Sequence, residues 1–128
     1  MRLATASGLS NACLMLIDDL PVMKAHLDPQ RLSPKAAKRE KLPVSIWGRF
    51  REATVDRFAF DVTGGQHVSF EAVGNRLGKD VDPLITIRDA TGKIVAERDN
   101  DPGLYFDFRF AHTFVEAGVY TVELRDSR

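Results

Sequence analysis

The sequence predicts an all-β protein, an antiparallel jelly-roll-like β-sandwich with an N-terminal hairpin and a partly helical basic linker. Three observations lead there. From residue 43 onward, apolar and polar residues alternate at period two. The alternating runs are short and recur at intervals of about 8–12 residues, with turn-forming residues between them, which is the spacing of a sandwich or barrel. Apolar residues at helical spacing are absent after residue 42.

The first zone is residues 1–20. It holds two strand-like runs, 2–5 and 11–17, separated by Ala6-Ser7-Gly8, so a hairpin is expected. Cys13 is the only cysteine and cannot form an internal disulfide. It fits no spaced zinc pattern and is expected as a small buried hydrophobe in a strand.

Residues 21–42 form the second zone, read as an exposed basic linker. Six basic residues (Lys24, Arg31, Lys35, Lys38, Arg39, Lys41) face only Asp28 and Glu40. Pro21, Pro29 and Pro34 rule out one continuous helix. Ser33 as N-cap and Pro34 at the first helical position predict a short helical stretch over 35–41. The charge reads either as a solvated linker or as a patch for an acidic polymer or membrane.

The third zone, 43–128, is the sandwich. In 55–62, Phe58, Phe60 and Val62 share one face. In 66–73, Val68, Phe70 and Ala72 do the same. Thr63-Gly64-Gly65 between these runs signals a tight turn. Ile85 and Ile87 oppose Leu84, Thr86 and Arg88, so both faces of that strand are expected to be covered near its start. Residues 89–93, Asp-Ala-Thr-Gly-Lys, predict a hairpin into a strand at 94–97. Phe106, Phe108 and Phe110 are expected on the core face, with Asp107 and Arg109 opposite. The last strand carries Val119, Thr121 and Glu123 on one face and Tyr120, Val122 and Leu124 on the other. Tyr120, just after Gly118, reads either as an ordinary core tyrosine or as a tyrosine corner, its hydroxyl returning to upstream backbone. Each Phe buried in full contributes about 1.5–3 kcal/mol, enough in sum to hold two facing sheets.

Composition excludes several functions. The chain has 128 residues, 18 Lys+Arg and 18 Asp+Glu. Zero net charge argues against a nucleic-acid binder, because neutralising phosphates takes a basic surplus. No run approaches the roughly 18 apolar residues of a spanning helix, so no membrane insertion is expected. The apolar run 12–17 is too short for a signal peptide and ends in Asp18-Asp19. The chain stops at Asp126-Ser127-Arg128, directly after a strand-like run. The expectation is therefore a piece of a longer protein, with its sandwich short of its last strand and any export signal upstream.

Residues 43–126 resemble a known family. The series begins Leu42-Pro43-Val44, Gly48-Arg49 and Val55-Asp56-Arg57-Phe58-Ala59-Phe60. It continues through Gly65-Gln66-His67-Val68-Ser69-Phe70-Glu71, Arg76-Leu77-Gly78 and Asp82-Pro83-Leu84. It closes with Asp89-Ala90-Thr91-Gly92-Lys93, Asp99-Asn100-Asp101 and Gly118-Val119-Tyr120-Thr121-Val122. In order and spacing this resembles the bacterial pre-peptidase C-terminal domain of large envelope and secreted proteins in planctomycete-like bacteria. The resemblance implies a jelly-roll-like sandwich that is exported, non-catalytic and appended to other domains. Some relatives resemble collagen-binding modules that carry calcium. Residues 1–20 resemble the final hairpin of an immunoglobulin-like domain preceding such a module. The chain departs from the family where an opening Glu-Pro-Asn-Asp-like segment supplies calcium ligands. The basic zone 26–40 stands in that place.

Among candidate site residues, Asp99, Asn100 and Asp101 share one turn, and Asp80 and Asp82 another. Calcium takes six to eight oxygen ligands from such loops, and it is the one cofactor these residues suggest; none is required by the fold. The competing reading is that these acids cap turns through side-chain hydrogen bonds. Trp47 is the candidate ligand contact, able to stack on a sugar ring or anchor a partner if exposed. Otherwise the linker covers it. His26, His67 and His112 have no metal-pair spacing, His67 falling on a polar face and His112 at a sandwich edge. No Gly-x-Ser-x-Gly elbow supports a hydrolase, so the chain is not expected to be an enzyme. Three classes follow in order: a module binding an extracellular polysaccharide or protein, a passive spacer between neighbouring domains, and a hydrolase.

Overall fold

Period-two alternation puts alternate side chains on opposite faces of a pleated strand, and most of the alternating runs become strands. The structure, a computed structural model, describes residues 4–5, 8–9, 22–24, 39–40, 42–48 and 55–127. The strands among them are, in chain order, β1 (Ala4–Thr5), β2 (Gly8–Leu9), β3 (Val22–Lys24), β4 (Arg39–Glu40), β5 (Ser45–Trp47), β6 (Asp56–Val62), β7 (Gln66–Glu71), β8 (Pro83–Arg88), β9 (Ile94–Arg98), β10 (Arg109–Phe114) and β11 (Gly118–Asp126). A single 3-10 turn, Asn75–Leu77, lies between β7 and β8. The protein is all-β and mostly antiparallel.

The main sheet has five strands in the order β4-β6-β11-β8-β9, and β7 pairs with β10 in a separate ribbon. The antiparallel pairings are nested. β8 with β9 is the innermost hairpin, β7 with β10 encloses it, and β6 with β11 encloses both. β11 also lies beside β8, which closes the main sheet. The predicted hairpin at 89–93 forms around Asp89, whose Oδ1 accepts from the amides of Thr91 at 2.9 Å and Lys93 at 3.0 Å.

The turn at 63–65 forms as well, but it joins two sheets. β6 and β7 do not pair, and the Gly65 amide instead donates to Phe114 O at 2.7 Å, where β10 is leaving the ribbon. The β10–β11 connection crosses back at the same end. There the Tyr120 hydroxyl donates to Glu116 O at 2.8 Å, so the tyrosine-corner reading holds.

The core lies between the layers. Phe60, Val62, Ile85, Ile87, Tyr120 and Val122 of the main sheet are buried together with Phe108 and Phe114. Phe60 meets Phe114 edge-on at 5.6 Å and Phe70 at 6.0 Å, which joins the main sheet to the ribbon through aromatic rings. Phe58 is also buried, and so are Ala59 and Thr86 of the opposite parity. Both faces of β6 and β8 are therefore covered in part, as expected for the start of β8.

Two sequence expectations are corrected at 106–108. Phe106 is 41% exposed and Asp107 is fully buried, the reverse of the predicted alternation. The strand begins only at Arg109; before it the chain turns, with the amide of Leu104 donating to Asp101 O and that of Asp107 to Leu104 O. A turn has no period of two, so parity fails there.

In the first 42 residues, β1 and β2 form a short antiparallel pair. It is tighter than the predicted hairpin, whose second run at 11–17 lies outside the described residues, as does Cys13. The zone read as a linker supplies two short strands. β3 pairs in parallel with β5, and β4 pairs in parallel with β6. The helix predicted over 35–41 is corrected at Arg39–Glu40, which is strand. Residues 33–38 lie outside the described residues.

Candidate functional site

The two segments that carry the candidate acids, before β8 and after β9, leave the main sheet at one end because of strand register. Ile85 faces Arg98 across β8 and β9, so the chain before β8 and the chain after β9 leave the sheet at the same end. The end of β11 arrives there too, with Asp126 opposite Pro83. Asp82 is tied in by its amide, which donates to Asp126 Oδ1 at 3.1 Å, and by its carbonyl, which accepts from Ser127 N at 2.8 Å.

The loop 99–107 is fastened at both ends. Asp101 accepts from Arg98 Nη1 at 3.0 Å through one carboxylate oxygen and from the Arg109 amide at 2.8 Å through the other. Its own amide donates to Asp107 O at 3.1 Å. Arg98 in turn lies 5.1 Å from the centre of the Phe110 ring, a cation–π contact. The Asp101 carboxylate thus ties the two ends of the loop together.

Asp107 closes the loop from below. With a side chain 0% exposed, it accepts from the amides of Gly74, Asn75 and Arg76 at 3.1, 2.8 and 3.1 Å and from Arg76 Nε at 2.9 Å. Burial pushes this carboxyl up, but the bonds from Arg76 and the three amides outweigh it, so it stays below the ordinary carboxylate range. Gly74 is closely packed here: a Cβ there would sit 2.6 Å from Val81 Cγ2, so that side chain would have to shift. Arg76 extends the network to Glu71 Oε1 at 2.9 Å, which also receives Arg109 Nη2 at 2.9 Å. The bond from Arg109 is the main reason the Glu71 carboxyl is held low.

Above this framework lies an open cleft of about 590 Å³ lined by Asn100, Asp101, Pro102, Gly103 and Tyr105. Tyr105 is 77% exposed. Its φ of 59° is in the left-handed region, a conformation that costs a non-glycine residue about 1–3 kcal/mol and that tends to occur at functional positions.

The predicted metal ligands are distributed unevenly. Asn100 and Asp80 are exposed, whereas Asp82, Asp99 and Asp101 are half-buried. Asp82 Oδ1 and Asp99 Oδ1 are buried without a hydrogen-bond partner among the described residues. No three His, Cys, Asp or Glu side chains among the described residues converge into a metal-holding group. Trp47 lies in β5, but its side chain is outside the described part. His67 is exposed and shares a 2.6 Å hydrogen bond with Thr113 Oγ1, and His112 stands edge-on to Phe114 at 4.7 Å. His26 lies outside the described residues.

A second polar basin lies on the outer face of the main sheet. It measures about 220 Å³ and is lined by Val55, Thr86, Arg88, Glu97, Glu123 and Arg125. Glu123 sits between Arg57 Nε at 2.8 Å and Arg88 Nε at 2.5 Å. Burial raises the Glu123 carboxyl, but Arg88 and Arg57 lower it by more, so the net shift is downward.

Sequence reasoning missed Tyr105, and it placed Asp107 on the wrong face. The signal for both was present: Asp101-Pro102-Gly103 is a turn signature that ends any strand passing through it. No family model matches the chain, and no curated protein matches it either. No helix among the described residues is long and apolar enough to cross a membrane. The class that fold and site define is an all-β, sandwich-like protein with a rigid, aromatic-tipped loop at one end.

Proposed function

We propose that this chain is a non-catalytic accessory module of a larger exported bacterial protein, and that it binds an extracellular polymer or protein through the loop 99–107. The observation that carries the reading is the contrast within that loop. Its base is locked by Asp107 and Asp101, and its tip presents Tyr105 to solvent. A side chain held in an exposed, strained position on a rigid base is set up for contact with a partner.

The finer assignments belong to the same proposal. Nested pairing of β6 with β11, β7 with β10 and β8 with β9 is how a long hairpin rolls into a jelly roll, which favours that architecture. The resemblance to the pre-peptidase C-terminal family supports the same reading, of a module that works in the envelope or the medium beside neighbouring domains. Trp47 is the second ligand contact nominated by the sequence. Calcium is the cofactor to test, because a divalent cation satisfies buried carboxylate oxygens such as Asp82 Oδ1 and Asp99 Oδ1.

The experiment is a thermal melt of the chain with calcium, with chelator, and with a panel of extracellular polysaccharides and matrix proteins. A ligand present at about 100 times its dissociation constant stabilises by about 2.7 kcal/mol, a readily measured rise in melting temperature. A calcium shift that disappears in Asp82→Ala and Asp99→Ala establishes the metal. No shift with any polymer or protein rejects the binding reading in favour of a passive spacer.

A further inference from the structure

We infer that the loop 99–107 and the turn at 74–78 open and close as one unit, apart from the sheets and independently of what the loop binds. The two segments join different strands: the turn connects β7 to β8, and the loop connects β9 to β10. Their apolar anchorage is slight. The 3-10 turn buries no residue, and from 99 to 106 none is buried either. Segments of that kind open locally more readily than a packed ladder does. What holds them is polar and shared. Asp107 Oδ1 accepts from the amides of Gly74 and Asn75, and Oδ2 from the amide and Nε of Arg76. A second link runs through Glu71, whose Oε1 receives both Arg76 Nη2 and Arg109 Nη2 at 2.9 Å. Arg109 in turn gives its amide to Asp101 on the loop. Neither segment leaves easily by itself. If the turn lifts first, the fully buried Asp107 carboxylate is stranded without its donors. If the loop lifts first, three amides and Arg76 Nε lose their acceptor together. Opening both at once lets water replace every one of these bonds. Asp107 is thus a joint, and a partner that fixes the loop also fixes the turn.

Native-state hydrogen exchange of the full chain, followed by NMR in low, rising concentrations of urea, provides the test. The turn reporters are the amides of Gly74, Asn75 and Arg76, which donate to Asp107. The loop reporters are the amides of Leu104, Asp107 and Arg109, which donate to Asp101 O, Leu104 O and Asp101 Oδ2. One unit means opening constants equal within about threefold and a common urea slope across all these amides, distinct from those of the β6, β8 and β11 ladders. Two variants read across the joint. Asp107→Asn is expected to speed exchange at Leu104 and Arg109 at least about tenfold, although neither amide bonds to the substituted carboxylate. Asp101→Asn is expected to speed exchange at Gly74, Asn75 and Arg76, whose amides bond to Asp107 and not to Asp101. Three results overturn the inference: different urea slopes for turn and loop, exchange of both only together with the ladders, or variant effects confined to the segment that carries the substitution. The slopes of the unsubstituted chain decide the matter even where Asp107→Asn does not fold.

Discussion

Asp107 and Glu123 are both acids held by arginines, yet they occupy opposite situations. Asp107 is fully buried beneath a loop, where three backbone amides and Arg76 use its oxygens. Glu123 lies on the outer face of the main sheet, 13% exposed, between Arg57 at 18% and Arg88 at 37%. The difference lies in what each carboxylate replaces. Glu123 pairs side chains on strands whose backbone bonds are already made by the ladder. Asp107 supplies hydrogen bonds to a 3-10 turn that has no ladder to supply them. The first adjusts a surface. The second substitutes for secondary structure, and the proposed binding loop is built over it.

The largest effect should come from Asp107→Ala, which leaves three backbone amides and Arg76 Nε without their acceptor. The expected loss is about 3–5 kcal/mol, read from urea unfolding. Gly74→Ala tests the close approach at the same centre. Its Cβ must displace Val81, for an expected cost of about 1–3 kcal/mol. Acid should come next. Asp107, Glu123 and Glu71 all titrate below their ordinary values in the folded protein. Such groups stabilise above the unfolded carboxylate pKa of about 4, and that stability is lost as pH falls through the folded values. The urea midpoint should therefore stay flat from pH 7 to about 5 and then fall. Asp107→Asn should flatten the fall more than Glu123→Gln does, and the opposite ranking would break the comparison. At neutral pH, Glu123→Gln is expected to cost about 1 kcal/mol or less, since water screens the partly open Arg88. Raising salt to about 1 M should mimic part of the Glu123 loss and leave the Asp107 contribution nearly intact, because the Debye length shrinks to about 3 Å only where ions can enter.

Much of the layered core was legible from residue types. Phe58, Phe60, Val62 and Phe108 were assigned to shared or core faces by alternation, and they are buried. The 89–93 hairpin was legible because its turn is local: the Asp89 side chain binds amides two and four residues on. The candidate site was legible only in outline. Asp99, Asn100 and Asp101 marked the correct loop. That Asp101 spends its oxygens on Arg98 and Arg109 depends on contacts three and eight residues away, outside any local pattern. Arg76 appeared only as part of a motif, and its partner Asp107 lies 31 residues further along.

By itself, the sequence determined the all-β class, most strand positions and the apolar faces, because a pleated strand enforces period two and a buried face must be apolar. It left Tyr120 between a core tyrosine and a tyrosine corner, and the structure decided for the corner, a bond spanning four residues. Tertiary structure alone decided that the 63–65 turn crosses between sheets, since strand partners are chosen by packing across the core and Phe114 lies 49 residues from Gly65. It alone decided that Phe106 faces out while Asp107 is buried. A carboxylate can leave water only where donors from elsewhere in the chain replace it, and those donors come together only when the fold is complete.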